Sequence, residues 1–92
     1  MKMQPTICRL CQDLNIEQKG EYKIIKTCIV IDDQFIYITV FGATAEYLYK
    51  YGKKGGRVLL KDWELSVKKI NDKTVYDFNV RKLDIIDFKE AE

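Results

Sequence analysis

The stretch QFIYITVF, running from Gln34 to Phe41, alternates strictly between two kinds of side chain. Ile36, Ile38 and Val40 fall on one side of an extended chain, and Phe35, Tyr37, Thr39 and Phe41 on the other. A period of two is the signature of a strand, and no helix separates these sets. The aliphatic set predicts the side that faces a core. Three large rings are thereby left on the opposite side, which is either covered by something or is where the chain does its work.

The flanking segments predict a frame for that strand. TICRLCQDLNI reads as a first strand after the lone proline, Pro5. QKGE turns around Gly20 into YKIIKTCIVI, a second strand rich in β-branched residues. IDDQ then forms a tight turn into QFIYITVF, the third. GATAEYLYKYG changes character: Ala43, Ala45, Tyr47, Leu48 and Tyr51 suit a short helix, which Gly52, Lys53 and Lys54 end. RVLLKDWELSVKKI is a long fourth strand, NDK a hairpin turn and TVYDFNVRKLDII a fifth, with DFKEAE fraying at the end. The expected fold is all-β with one helix: a five-stranded OB-fold Greek-key barrel with its helix between strands 3 and 4. A small SH3-like barrel lacks a helix at that point, and a swapped or extended β-sandwich dimer is the other architecture weighed.

Composition narrows the functional classes. A chain of 92 residues predicts one domain, residues 1–92, with its ordered core at about 6–88. No apolar run has the length of a membrane span and no stretch has the layout of a signal peptide, so a cytoplasmic, non-membrane protein is expected. Three cysteines, an odd number, argue for a reducing compartment rather than a disulfide framework. Cys8 and Cys11 form a C-x-x-C, but in an extended segment that spacing sends their side chains to opposite faces, and Cys28 alone completes no metal site. With no histidine, no phosphate-cradling glycine loop in GKKGGRV and no carboxylate pair set for acid–base work, neither a cofactor, a metal nor an enzymatic activity is expected.

Net charge is only +2, yet residues 50–73 hold eight Lys/Arg against three Asp/Glu. Such a local excess suits a polyanion, as it also suits a plain solvated face. An open strand face with three aromatics suits single-stranded nucleic acid, because every base has a π-face and stacking is worth about 1–3 kcal/mol per base. Lys23 and Lys26 on the neighbouring strand would meet the phosphates. A duplex hides its base faces and fits less well. The same rings would equally pack under the helix or in a dimer interface.

The run from Phe35 onward resembles the corresponding part of bacterial and phage single-stranded DNA-binding proteins. In that family an aromatic followed by glycine ends a strand, then come a short helix with Ala-Glu, a Tyr-Leu or similar pair, and Lys-Gly before a strand with Val. Here the order is Phe41-Gly42, Ala45-Glu46, Tyr51, Lys54-Gly55 and Val58, with Arg9, Leu10 and Asp13 matching the family's opening pattern. The resemblance spans nearly the whole chain and is strongest over residues 35–60. It implies that Phe41 contacts DNA and that Phe35 takes the place of a stacking tryptophan. Trp63 lies near a third aromatic position. Its parity matches Leu65 and Val67 but not Val58 and Leu60, which predicts a bulge near Asp62 and leaves a core role and a base platform both open.

There are departures. Cys8 replaces the family's glycine and Leu14 its proline, and IDDQ is far shorter than the usual DNA-contacting loop, so a smaller site is expected. The sequence ends in DFKEAE, without a linker and acidic tip, so a protein that covers single strands without recruiting other enzymes is expected. The full expectation is a minimal single-stranded DNA-binding protein of DNA replication, recombination or repair, from a phage, mobile element or reduced genome. Phe35, Tyr37, Phe41 and Trp63 would stack, and Arg9, Lys23, Lys26, Lys53, Lys54, Arg57, Lys61, Lys68 and Lys69 would meet phosphates. A homodimer or homotetramer joined through the first strand is expected. RNA would use the same surface, and a primosomal-type OB-fold protein-interaction module would use it against a partner chain.

Overall fold

The computed structural model describes residues 1–90. Six strands and one helix follow in the order β1 (Thr6–Leu10), β2 (Ile16–Lys19), β3 (Tyr22–Ile31), β4 (Gln34–Phe41), α1 (Gly42–Tyr51), β5 (Arg57–Ile70) and β6 (Lys73–Ile85). The expected first strand is thus two strands, broken by a bend at residues 11–15. The reason is pairing: β1 lies against β5 and against the far half of β3, whereas β2 lies against the near half of β3. One straight strand cannot serve both, so the chain bends between them.

The ladders close on themselves. Thr6–Arg9 run antiparallel to Arg57–Leu60, and Arg9 and Leu10 face Val30 and Ile29. Strands β3 and β4 pair antiparallel from Ile24 opposite Phe41 to Ile31 opposite Gln34. Strand β4 then pairs in parallel with β6, Ile38 opposite Phe78 and Val40 opposite Val80, and β6 returns antiparallel along β5. Read as a ring, β1, β5, β6, β4 and β3 lead back to β1, a Greek-key barrel. The parallel pair is possible because α1 and β5 carry the chain between the two strands.

Local chemistry sets the corners. Asp32 and Asp33, and again Asn71 and Asp72, hold positive φ at both central turn positions, the twist that two-residue hairpins require. Gly42 has φ of 62° where β4 gives way to α1, a conformation that strains any residue with a Cβ. The helix ends at Gly52, whose N–H donates to the Leu48 carbonyl at 2.8 Å. A side chain at Gly52 would sit 2.7 Å from that same oxygen.

Inside the barrel, Leu10, Ile25, Ile29, Ile38, Val40, Val58, Leu60 and Val80 pack together, with Ala45 and Leu48 of α1 closing one end. The small Ala45 lets the helix approach, whereas Ala43 is exposed. The expected bulge is present. Leu60 faces Leu83, Asp62 faces Lys82 and Trp63 faces Val80, so Lys61 and Arg81 have no opposite partner and the faces of β5 reverse. Trp63 turns inward, 2% exposed, its ring centroid 5.6 Å from that of Phe78 and its Nε1–H donating to the Gln4 carbonyl at 2.8 Å.

Both chain ends are tied down further than the sequence suggests. Ahead of Pro5, the Met3 N–H donates to the Trp63 carbonyl and the Leu65 N–H to that of Met1. At the other end the expected fraying of DFKEAE does not hold for its first three residues. Phe88 packs edge-on against Tyr51, the Lys89 N–H donates to the Tyr51 carbonyl, and Asp87 accepts three hydrogen bonds from Arg57. Ala91 and Glu92 lie outside the described residues.

The Arg57 contacts hold the Asp87 carboxyl down at about 2, from an ordinary 3.8. A depressed carboxyl adds stability that is complete above about pH 4 and is lost as pH falls toward 2. Asp87→Asn is therefore expected to lower the urea midpoint at neutral pH, and the gap to the parent should close by pH 2. A gap that persists in acid would show that the substitution acts by something other than this charge.

Candidate nucleic-acid interface

Alternation along β4 places Phe35, Tyr37, Thr39 and Phe41 on the outer wall of the barrel, because Ile38 and Val40 fill its interior. Phe35 is 70% exposed, Tyr37 69% and Phe41 39%, so the three rings are uncovered rather than packed under α1. Cross-strand register extends this wall to both neighbours. On β3, Ile24 stands opposite Phe41, Lys26 opposite Thr39 and Val30 opposite Phe35, while on β6 Asn79 stands opposite Thr39.

Two adjoining grooves run along the wall. One, of about 290 Å³, is lined by Lys19, Tyr22, Lys26, Phe41 and Lys68 among others. The second, of about 330 Å³, is lined by Gln12, Lys26, Tyr37, Tyr76 and Phe78 among others. Lys26, Thr39 and Asp77 border both, so the two form one path. The β2–β3 turn flanks it at one end, and the β5–β6 hairpin along its side. Rings that accept flat apolar faces alternate here with ammonium groups, an arrangement suited to a chain of bases joined by anions.

The structure brings only part of the sequence-derived set to this path. Tyr37, Phe41, Lys26 and Lys68 line it, and Phe35 continues the same row one pleat further along. Trp63 is corrected: a ring 2% exposed inside the barrel presents no face to a base. Lys23, Lys53 and Lys54 gather instead in a larger groove of about 680 Å³ at the helix-covered end, with Lys50 and Lys89, and it shares no lining residue with the ring path. Lys23 is paired there with Glu46 at 3.2 Å. Arg57 is held by Asp87, and Arg9 donates from Nη1 to the Gly55 carbonyl at 2.6 Å, fixing the loop that leads into β5. Lys61 pairs with Asp84 at 3.4 Å, and Lys69 is exposed on the opposite face of the hairpin from Lys68.

Two tyrosines and a lysine on the path, Tyr22, Tyr76 and Lys19, lie outside the sequence-derived set. Tyr22 and Tyr76 are 64% and 62% exposed, and Lys19 sits at the turn. Tyr22 was within reach of sequence reasoning, since it shares parity with Lys26. Tyr76 was not, because only the hairpin's placement against β4 brings it beside Tyr37.

The grooved barrel has known counterparts. Two crystal structures of the mitochondrial single-stranded DNA-binding protein Rim1 from S. cerevisiae, one with selenomethionine, superpose on this chain with a TM-score of 0.63 at 15% identity. The first superposition covers 95% of each chain and the second 97%. No family model matches the sequence, and no curated protein matches it. The likeness is one of fold: an OB-fold barrel with one helix.

Because Trp63 is the only tryptophan and is buried, its emission is expected to be blue-shifted and poorly quenched by acrylamide. Trp63→Ala should cost about 3–5 kcal/mol of stability in urea unfolding, the range for large-to-small changes in a core. A solvent-like emission maximum would return Trp63 to the surface.

Proposed function

We propose that this protein binds single-stranded DNA along the ring path of β3, β4 and the β5–β6 hairpin, in the handling of unpaired DNA during replication, recombination or repair. The observation that carries this reading is the row of Phe35, Tyr37 and Phe41 standing uncovered on one strand beside Lys26 and Lys68. Bases stack on the rings, and the lysines neutralise the phosphates between them. Sharing a fold with proteins that bind single-stranded DNA supports the reading. Lys68 stands 3.9 Å from Asp77, a loose pair at an exposed site that phosphate can replace.

Self-association is part of the proposal. Thr6–Cys8 of β1 have β5 as their only ladder partner among the described residues, so one side of this stretch is open to a strand from a second copy. A dimer or tetramer so formed lengthens the path beyond what one small barrel offers. Base faces are common to DNA and RNA, so RNA is a competitor for the same surface. Rings this exposed also suit an interface between proteins, and the experiment separates the two uses.

Fluorescence anisotropy with labelled oligo-dT is expected to show affinity that falls with salt, with a logarithmic slope of about 0.7 per phosphate neutralised on a single strand. Tyr37→Ala and Phe35→Ala should each weaken binding about 5- to 150-fold, the equivalent of about 1–3 kcal/mol per stacked base. Lys26→Ala should lower the salt slope. Light scattering run alongside should show an unchanged oligomer for the ring variants. A parent protein that never binds oligo-dT, with ring variants that fall to monomers, overturns this reading in favour of a protein interface. Competition by oligo-U reports the preference between the two nucleic acids.

A further inference from the structure

The second groove is bordered by Gln12, whose neighbour Cys11 begins the bend between β1 and β2. The β1–β3 register sets Arg9 opposite Val30 and Leu10 opposite Ile29. Extended by one residue, it sets Cys11 opposite Cys28, and the Cys11 N–H does donate to the Cys28 carbonyl at 3.1 Å. Directly opposed residues at such a hydrogen-bonded position have Cα atoms about 5.5 Å apart. A disulfide spans Cα separations of roughly 4.4–6.8 Å, so a pair in this register, whose side chains already touch, lies within disulfide reach.

Burial separates the three thiols. Cys8 is in the barrel core, and burial pushes its thiol up to about 12, which makes it inert. Cys28 is 2% exposed yet lies on the outer wall, on the same face as Tyr37, which stands opposite it on β4. The bend starting at Cys11 covers it there. Its thiol is raised to about 11, chiefly by burial and also by its contact with the Cys11 side chain. Cys11 alone is partly open to solvent.

We propose that Cys11 and Cys28 form a reversible disulfide, which fastens the β1–β2 bend to the wall beside Tyr37 and weakens nucleic-acid binding. The accessible Cys11 thiolate attacks a low-molecular-weight disulfide, forming a mixed disulfide and releasing one thiolate. The Cys28 sulfur, after losing its proton to solvent, displaces the second thiolate. One disulfide of the reagent is reduced to two thiols while one forms in the protein. The raised Cys28 thiol makes the second step the slower one, and higher pH accelerates it. The closed bond denies the bend, and Gln12 with it, the freedom to shift as a base approaches Tyr37.

The chemistry is tested with no nucleic acid present. Incubation of the native protein with oxidised glutathione should reduce the three free thiols to one, with loss of two hydrogens in intact mass and no added glutathione. Dithiothreitol should reverse the change, and a peptide map should join Cys11 to Cys28. Cys11→Ser and Cys28→Ala should each prevent the internal bond. A glutathione adduct that stays on Cys11, a bond between two chains, or three persistently free thiols overturns the proposal. The effect on binding rests on the function proposed above. Oligo-dT affinity should be several-fold weaker in the oxidised protein than in the reduced one, and unchanged by the same treatment of Cys11→Ser, which has no accessible thiol for the reagent to cap. Equal affinity in both states overturns the switch. Absence of binding in either state, with the internal bond formed as described, overturns the nucleic-acid reading and the switch with it, and leaves the thiol chemistry standing.

Discussion

Closure of the strand ladder governs this molecule. A sheet of a few short strands in an open form would leave two edges of unpaired N–H and C=O groups and too little interior to hold them. Here β1 joins β5 on one side and β3 on the other, so the sheet meets itself and its curvature is fixed. The bend at residues 11–15 and the reversal of β5 at Lys61 are demands of that closure. The first lets one length of chain serve two parts of β3, and the second keeps the aliphatic side inward after the strand has turned a corner. With Ala45 and Leu48 closing one end and Ile38 and Val40 turned inward, alternation leaves the rings of β4 outside.

Electrostatics on this barrel is divided between two tasks. Arg57, Arg81, Lys2 and Lys61 are each held by a carboxylate within 3.4 Å, and these pairs join distant parts of the chain. Arg57 with Asp87 binds the C-terminal segment to the start of β5 through three hydrogen bonds, a geometry stronger than that of a lone surface pair. Among the described residues Lys26 has no such partner, and Lys68 has only a distant one. None of the ring-path cations among the described residues is held by a carboxylate within 3.4 Å, whereas in the groove at the helix end Lys23 is held by Glu46 at 3.2 Å. A net charge of +2 conceals this arrangement, because it sums paired and unpaired groups alike.

Much of the fold was legible because local signals agreed with one another. The alternation in QFIYITVF, the paired turn residues Asp32-Asp33 and Asn71-Asp72, and the Gly42 and Gly52 boundaries all depend on near neighbours. The bulge near Asp62 was legible from a change of parity alone. What depended on distant neighbours was not. The break in the first strand arises from its two partners, and the order at Met1–Met3 and Asp87–Lys89 arises from contacts with Trp63 and Tyr51. The site divides in the same way. Exposure of Phe35, Tyr37 and Phe41 followed from alternation, whereas the assignment of lysines to two separate grooves and the arrival of Tyr76 beside Tyr37 required the closed barrel. Trp63 showed the limit of parity, which detected a reversal without saying which side faced inward.

The position of β4 between β3 and β6 has one more consequence. Strand β3 pairs with it from Gln34 to Phe41 and β6 with its centre at Ile38–Val40, so its rings rise from a ladder rather than from a loop that must be ordered on contact. Apart from the bend at residues 11–15, a ligand meeting such a platform has little protein entropy to overcome, and adaptation falls mainly to the ligand. A limp polymer that can drape over fixed rings is a better match than a rigid one of predetermined shape.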